Sequence, residues 1–211
     1  MSGRLSHRAV VAVSVSLFAV DRVEAQSERG GFIARLGNDT VHIEQFERSG
    51  NVITGTVLQR TPTFRMIRWS MSLDANGNPL KYDAKATDAS GAPLLNGVTG
   101  SLEFARDTIV RTAYRNGQSE TARVFAPNGA VPSPGLPYVG VTYLSYEWAF
   151  AALRKRVASG GDSALFQLSM LAAQLAPSKT PAWIVGKDSA ELSYFGVAKS
   201  GYKFDARGRL A

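Results

Sequence analysis

Apolar and polar residues alternate along several stretches of this chain, and a period of two predicts β-strands with one buried face. The clearest stretch covers 67–73, where one side carries Ile67, Trp69, Met71 and Leu73. The stretch 80–87 follows, and its apolar side carries Leu80, Tyr82, Ala84 and Ala86. Shorter alternations occur at Val41/Ile43, Leu102/Phe104, Ala122/Val124 and Leu192/Tyr194. We therefore predict a mainly β protein whose core is formed by these apolar sides.

Two short motifs recur where the predicted strands begin or end. Asp-Ala-x-Gly occurs at 74–77, 88–91 and 205–208, and Asp followed by Ser or Thr opens the stretches at Asp39, Asp107, Asp162 and Asp188. An Asp side chain accepts hydrogen bonds from nearby backbone amides, and Gly supplies the positive φ that closes a tight turn. The spacing predicts an antiparallel meander, strongly curved into an open barrel or half-barrel. Turn capping explains the Asp residues better than calcium binding, because the dense Asp-x-Asp-x-Asp spacing is absent.

The meander pattern is interrupted once. Four prolines fall within 127–137, and this predicts a break because each proline removes a backbone donor. One substantial helix is predicted near 145–158 from apolar residues three and four positions apart, with Ser145 as N-cap and Gly160-Gly161 at its end. The basic cluster Arg154-Lys155-Arg156 then lies in the last turns, where cations favour the helix dipole.

The stretch 164–176 fits two structures. Its leucines fit a helix that ends before Pro177, whereas the Asp162-Ser163 opening matches the openings of the other strands. Periodicity alone does not decide between them. We favour a strand through about Met170, because the same opening recurs at Asp188.

The first 25 residues have the layout of a secretory signal. A basic start is followed by the apolar run 9–20 and by Val23-Glu24-Ala25, after which cleavage would leave Gln26 first. The run has 12 residues, fewer than the roughly 20 of a membrane-spanning helix. We predict a signal peptide at 1–25, a single β-rich domain at 26–211, and a periplasmic or extracellular location.

Composition excludes several kinds of site. The chain has no cysteine and two histidines, so neither disulfides nor a transition-metal site of the usual nitrogen and sulfur type is expected. Gly-x-Ser-x-Gly, Gly-x-x-x-x-Gly-Lys and the dinucleotide-binding fingerprint do not occur. The net charge is +7, but most basic residues are scattered singly. We predict no metal, no cofactor, no nucleic-acid partner and no membrane span after signal cleavage.

Candidate catalytic groups are few. His42 shares a strand face with Glu44 and could form an acid–base pair with it, although a solvated strand face is the favoured interpretation. A carboxylate pair of the glycosidase type would come from distant strands. Its candidates are Glu103, Glu120, Glu147 and Glu191.

An aromatic group lies between the proline-rich stretch and the predicted helix. Its members are Tyr138, Tyr143, Tyr146, Trp148 and Phe150. Aromatic side chains line apolar binding pockets, and they also pack helices against sheets. We name these five as the candidate ligand-binding residues, with no catalytic residue assigned.

Several stretches resemble a group of uncharacterised secreted bacterial β-rich proteins. The resemblance lies in 32–40, 44–46, Arg60-Thr61-Pro62, the later Gly-x-Asp-Ser openings and the ending Asp205-Ala206-Arg207-Gly208-Arg209. It covers most of the chain after 25 and implies a β-rich fold, but it assigns no catalytic residue. In that group the last turn is followed by further strand residues, so we expect the natural chain or domain to continue past Ala211. The fold also bears a looser likeness to periplasmic lipoprotein-carrier half-barrels.

Together these observations predict a secreted, non-catalytic envelope protein that binds an apolar small molecule, a lipid or a protein partner. Two alternatives stay open. The chain could be an accessory domain or subunit of a larger envelope assembly, or a hydrolase with a carboxylate-based site.

Overall fold

The computed structural model of this chain describes residues 27–36, 38–60, 63–94, 99–105, 107–115, 117–125, 131–133, 144–161, 163–169, 178–194 and 198–211. Across these residues the fold is mainly β, as predicted, with an eight-stranded sheet, a five-stranded sheet and one helix. The predicted signal peptide, Tyr138 and Tyr143 lie outside the described residues.

The first sheet is a meander in which each strand pairs antiparallel with the next along the chain. Its strands are β1 (Glu28–Leu36), β2 (Asp39–Ser49), β3 (Val52–Gln59), β4 (Arg65–Leu73), β5 (Pro79–Thr87), β6 (Gly100–Phe104), β7 (Thr108–Arg115) and β8 (Gln118–Phe125). The prediction of an antiparallel meander is confirmed for this sheet.

The second sheet has the order β13-β12-β11-β10-β9. Its strands are β9 (Val131–Ser133), β10 (Ala164–Ser169), β11 (Ser178–Val185), β12 (Ser189–Tyr194) and β13 (Ala198–Lys203), with helix α1 (Ser145–Ala158) between β9 and β10 in the chain. The favoured strand after Ser163 is confirmed through Ser169. The predicted break at 127–137 is wrong at β9, which pairs in parallel with β10 and contains Pro132. Proline is tolerated there because an edge strand leaves one side without a bonding neighbour.

Each sheet has its own hydrophobic cluster. The first cluster is built from Phe46, Ile53, Val57, Ile67, Trp69, Met71, Tyr82, Ala84, Ala86, Leu102, Ile109 and Leu144. The predicted apolar sides of β4 and β5 therefore face the core. Leu80 departs from the prediction and is 47% exposed, because it is the extra residue of a β-bulge: Pro79 pairs with Leu73 and Lys81 pairs with Ser72.

The helix lies between the two clusters. Its buried side contributes Tyr146, Ala149, Phe150 and Leu153 to the second cluster, with Leu165, Ala182, Ala190, Leu192, Tyr202 and Phe204 from the second sheet. Leu144, just before the helix, belongs to the first cluster, and Trp148 packs against both. Burial of this side, rather than helix propensity, holds α1 in place.

An ionic network ties the first sheet to the helix and to the last turn of the chain. Arg48 on β2 bonds Glu147 on α1 and lies 3.9 Å from Glu28 on β1. Glu28 also pairs with Arg209, and Glu147 accepts a hydrogen bond from the backbone amide of Leu210. The first sheet is thus joined to the helix by charge as well as by apolar packing, and to the last turn of the chain by charge.

The Asp-Ala-x-Gly motifs form three equivalent turns, as predicted. In each, the Asp side chain accepts bonds from the amides two and four residues later, at Asp74, Asp88 and Asp205. The glycine amide of each turn donates to the backbone oxygen of the same Asp. Gly77 and Gly208 have φ of 79° and 76°, so the prediction of positive φ is confirmed.

The helix ends at the predicted place, but its N-cap lies one residue earlier than predicted. Leu144 occupies the N-cap position and makes no side-chain capping bond, so Ser145 is the first helical residue instead. At the other end Gly160 has a φ of 80°, and the Gly161 amide donates to the Arg156 carbonyl. This is a Schellman termination, with Lys155 and Arg156 in the last turn as predicted.

Candidate functional site

Three of the five predicted ligand-binding aromatics are described, and two of them are packed inside the second cluster. The ring of Tyr146 lies 4.6 Å from that of Tyr202, and the ring of Phe150 lies 5.2 Å from Tyr202 and 5.3 Å from Phe204. These centroid distances are typical of close aromatic packing. Trp148 is partly exposed and contacts both clusters. In this structure the described aromatics fill the space between helix and sheet.

The His42–Glu44 pair is buried, so its interpretation as a solvated strand face is wrong. Arg35 pairs with Thr40 and Ala34 pairs with His42, which leaves Val41 as the extra residue of a bulge. Beyond this bulge, His42, Glu44 and Phe46 face the core and Ile43 faces away from it. The predicted buried side of β2 is therefore wrong at Ile43, which is half-buried.

The His42 and Glu44 side chains both lie in the protein interior. His42 Nε2 lies 3.6 Å from Glu44 Oε2, and neither side chain is exposed. Glu44 also acts on Tyr82: burial raises the pKa of the Tyr82 phenol well above 10, and the negative charges of Glu44 and Asp83 raise it further. A solvent-borne substrate cannot reach these groups in this conformation, so they do not form an open acid–base site.

A groove of about 710 Å³ lies across β1 to β4. We call the side of the first sheet opposite the first cluster its outer face, and the polar lining residues belong to it because they alternate with buried ones. That lining comprises Arg29, Gln45, Glu47, Thr54, Thr56 and Arg68, with Gly30, Phe46, Gly55 and Trp69 completing it. The groove is open to solvent and carries both hydroxyl groups and charges.

An apolar stripe runs across the outer face beside this groove. Strand register places Ile33 opposite Ile43, Ile43 opposite Leu58, and Leu58 opposite Met66. Ile33 is 63% exposed and Leu58 is 38% exposed, whereas Ile43 and Met66 are half-buried. We call these four residues the outer stripe. The outer stripe is thus a row of four apolar side chains, one from each of β1 to β4, on the side of the sheet that faces away from the first cluster.

Some cations on the outer face have an acidic partner, and two neighbouring ones have none among the described residues. Arg29 pairs with Glu47 and Lys81 pairs with Asp83, each at 3.2 Å. Arg68 and Lys85 are directly opposite each other on β4 and β5, and no carboxylate of the described residues pairs with either. Arg29 and Glu47 line the groove as a pair, so the positive charge of Arg68 is the excess charge at the β4 edge of the groove.

The candidate glutamates do not converge on one site. Glu103, Glu120 and Glu191 lie on β6, β8 and β12, and Glu147 lies on α1. Glu147 is engaged by Arg48 and by the Leu210 amide. Among the described residues, no group of three or more acidic or histidine side chains is arranged to hold a metal ion.

Comparisons with known proteins give no relatives. No family model, no curated protein and no solved structure matches this chain. The described part also contains no helix with the length and apolar character needed to cross a membrane.

Proposed function

We propose that this chain is an exported, non-catalytic binding protein that holds an apolar ligand on the outer face of β1 to β4. The observation that carries the proposal is the outer stripe, which lies beside a groove of about 710 Å³. A small ligand site of this volume is common in proteins. Apolar contact with Ile33 and Leu58 would remove surface that is now in water.

The non-catalytic part of the proposal is supported by the positions of the titratable groups. The His42–Glu44 pair is buried, and Glu147 is held by Arg48. The part of the proposal that concerns export is supported by the predicted signal at 1–25 and by the resemblance to secreted proteins. Mass spectrometry of the periplasmic protein should find an N-terminus near Gln26, and an intact Met1 terminus in the cytoplasm would contradict export.

Strong curvature of the first sheet, of the half-barrel type, is part of the same proposal. It is supported by glycines inside β1 and β3 on the core side. A Cβ at Gly30 would lie 2.6 Å from the Phe46 ring, and a Cβ at Gly55 would lie 2.5 Å from the Trp69 ring. Glycines inside strands accompany tight bends and close approach of neighbouring groups.

Fluorescence titration with a neutral apolar dye, such as Nile red, tests the binding site. We expect saturable binding to the full chain, weakened about tenfold in Leu58→Ser because the transfer of a leucine side chain from water is worth about 1.5–3 kcal/mol. Val52→Ser is the matched control, because Val52 lies on the outer face of the same strand, is 46% exposed and is outside the stripe. Equal weakening in both variants, with both folded by circular dichroism, would contradict this site.

A further inference from the structure

The position of two cations points to the chemistry of the ligand. Arg68 and Lys85 face each other across β4 and β5 without a carboxylate partner among the described residues. Like charges directly opposite each other on neighbouring strands are destabilising. The neighbouring cations on this face, Arg29 and Lys81, each have an acidic partner. An anion bound between Arg68 and Lys85 would remove the repulsion.

Arg68 is suited to such an anion. Its guanidinium presents a planar fork of donors that fits a carboxylate or phosphate, and charge-assisted hydrogen bonds are the stronger kind. Thr56 lies directly opposite Arg68 on β3 and lines the same groove. The Thr56 hydroxyl adds a donor on the other side of Arg68 from Lys85.

Along the strands, the outer stripe lies two residues from the row that contains Arg68 and Lys85. Met66 precedes Arg68 by two positions and Leu58 follows Thr56 by two, so the two rows are about 7 Å apart. The stripe crosses four strands, and its ends are therefore about 14 Å apart. An anionic head at Arg68 would leave an attached apolar chain beside the stripe.

We infer that the ligand is a single-chain amphiphile with an anionic head group, bound by Arg68 and Lys85 at its head and by the outer stripe along its chain. This inference rests on the proposed function. The groove favours a single molecule over a bilayer, whose surface is flat. Charge complementarity favours an anionic head over a neutral one.

Isothermal titration calorimetry at pH 7.5 with decanoate and with 1-decanol tests the inference, because the two probes share a chain and differ in head charge. We expect decanoate to bind more tightly than decanol, with an affinity that falls as NaCl is raised. The double variant Arg68→Gln/Lys85→Gln should weaken decanoate binding at least about tenfold, since the charge-assisted hydrogen bonds to the carboxylate would be lost. It should leave decanol binding unchanged.

Lys81→Gln is the matched control, because Lys81 is on the same strand and face as Lys85 but is paired with Asp83. It should leave the affinity for decanoate unchanged. Equal affinity for both probes that survives in the double variant would overturn the anionic head while the proposed function stands. Binding to anionic vesicles with none to decanoate would overturn the single-molecule ligand in favour of a membrane surface. If no apolar probe binds and Leu58→Ser changes nothing, the proposed function itself fails.

Discussion

Arg48 on β2 donates a hydrogen bond from Nη2 to Oε2 of Glu147 in the first turn of α1, over 2.5 Å. The two side chains are only 14% and 9% exposed. Oε1 of the same carboxylate accepts the Leu210 amide at 3.0 Å. One carboxylate thus connects the first sheet, the helix and the last turn of the chain.

Removing Arg48 should destabilise the fold strongly. In Arg48→Met the Glu147 carboxylate stays buried without its cation, and breaking a buried pair in this way costs about 3–5 kcal/mol. Urea denaturation followed by circular dichroism measures the change in the free energy of unfolding. Arg29→Met is the control, because its pair with Glu47 is exposed and should contribute about 1 kcal/mol or less. Similar losses of unfolding free energy in both variants would show that the buried Arg48–Glu147 pair contributes no more stability than the exposed Arg29–Glu47 pair.

The same carboxylate should give a pH dependence of known sign. Burial raises the pKa of Glu147 above its ordinary value of 4.5, and Arg48 offsets only part of that rise. The folded state then holds this proton more tightly than the unfolded state. The stabilisation is fully present below pH 4.5 and is lost as pH rises through the raised pKa. The free energy of unfolding of the native chain, minus that of Glu147→Gln, should therefore fall as pH rises from 4 to 8. If this difference stays constant or rises with pH, the prediction is wrong.

Much of the fold could be predicted because the strands of the first sheet have one solvated face. Alternation at β4 and β5 identified the buried Trp69 and Tyr82, and the Asp-Ala-x-Gly motifs located three turns. Both signals are local. They depend on neighbouring residues of one strand or one turn, so they are visible without knowledge of the partner strand.

The candidate site could not be predicted because it depends on register. Ile33, Ile43, Leu58 and Met66 are apolar residues on four different strands, and only the pairing of those strands shows that they form one exposed row. The bulge at Val41 reverses which side of β2 is buried, and no residue type in this stretch predicts a bulge. His42 and Glu44 carry polar groups that normally face water, so their burial contradicts the ordinary preference. Opposition of Arg68 and Lys85 was likewise hidden until β4 and β5 were paired.

Gly55 and Trp69 should be energetically coupled. A Cβ at Gly55 would lie 2.5 Å from ring atoms Cε2 and Cζ2 of the buried Trp69. Overpacking of this kind costs about 1–3 kcal/mol, so Gly55→Ala should destabilise the fold by that amount. Trp69→Ala should itself cost about 3–5 kcal/mol through the cavity that it leaves.

A double-mutant cycle with Trp69→Leu measures the coupling. In the Trp69→Leu background the ring is gone, and Gly55→Ala should cost clearly less than it does in the native chain. Chemical denaturation of the four proteins supplies the numbers. If the cost of Gly55→Ala is the same in both backgrounds, the ring is not the cause.

Two of the three Asp turns should show lowered carboxyl pKa values. Hydrogen bonds from Asn78 lower the pKa of Asp74, and those from Ser90 lower the pKa of Asp88, both from 3.8. The stabilisation from these bonds is present above pH 3.8 and is lost as pH falls through the folded pKa. Carboxyl carbon NMR titration should place both midpoints below 3.8. Midpoints at or above that value would show that the turn bonds do not favour the charged form.

Replacing the glycine of one of these turns should destabilise the fold because of its backbone conformation alone. Gly77 has a φ of 79° and no atom near the position of an added Cβ, so Gly77→Ala introduces left-handed strain without a clash. That strain costs about 1–2 kcal/mol.

Gly201 on β13 is the matched control, because it is exposed, has equally open space around it and does not have a positive φ. Gly201→Ala should be neutral or stabilise the fold by up to about 1 kcal/mol, since it restricts the unfolded chain. Thermal or urea denaturation of the two variants decides the matter: a loss at Gly77 with none at Gly201 assigns the effect to φ, whereas equal changes would remove the backbone explanation of the turn motif.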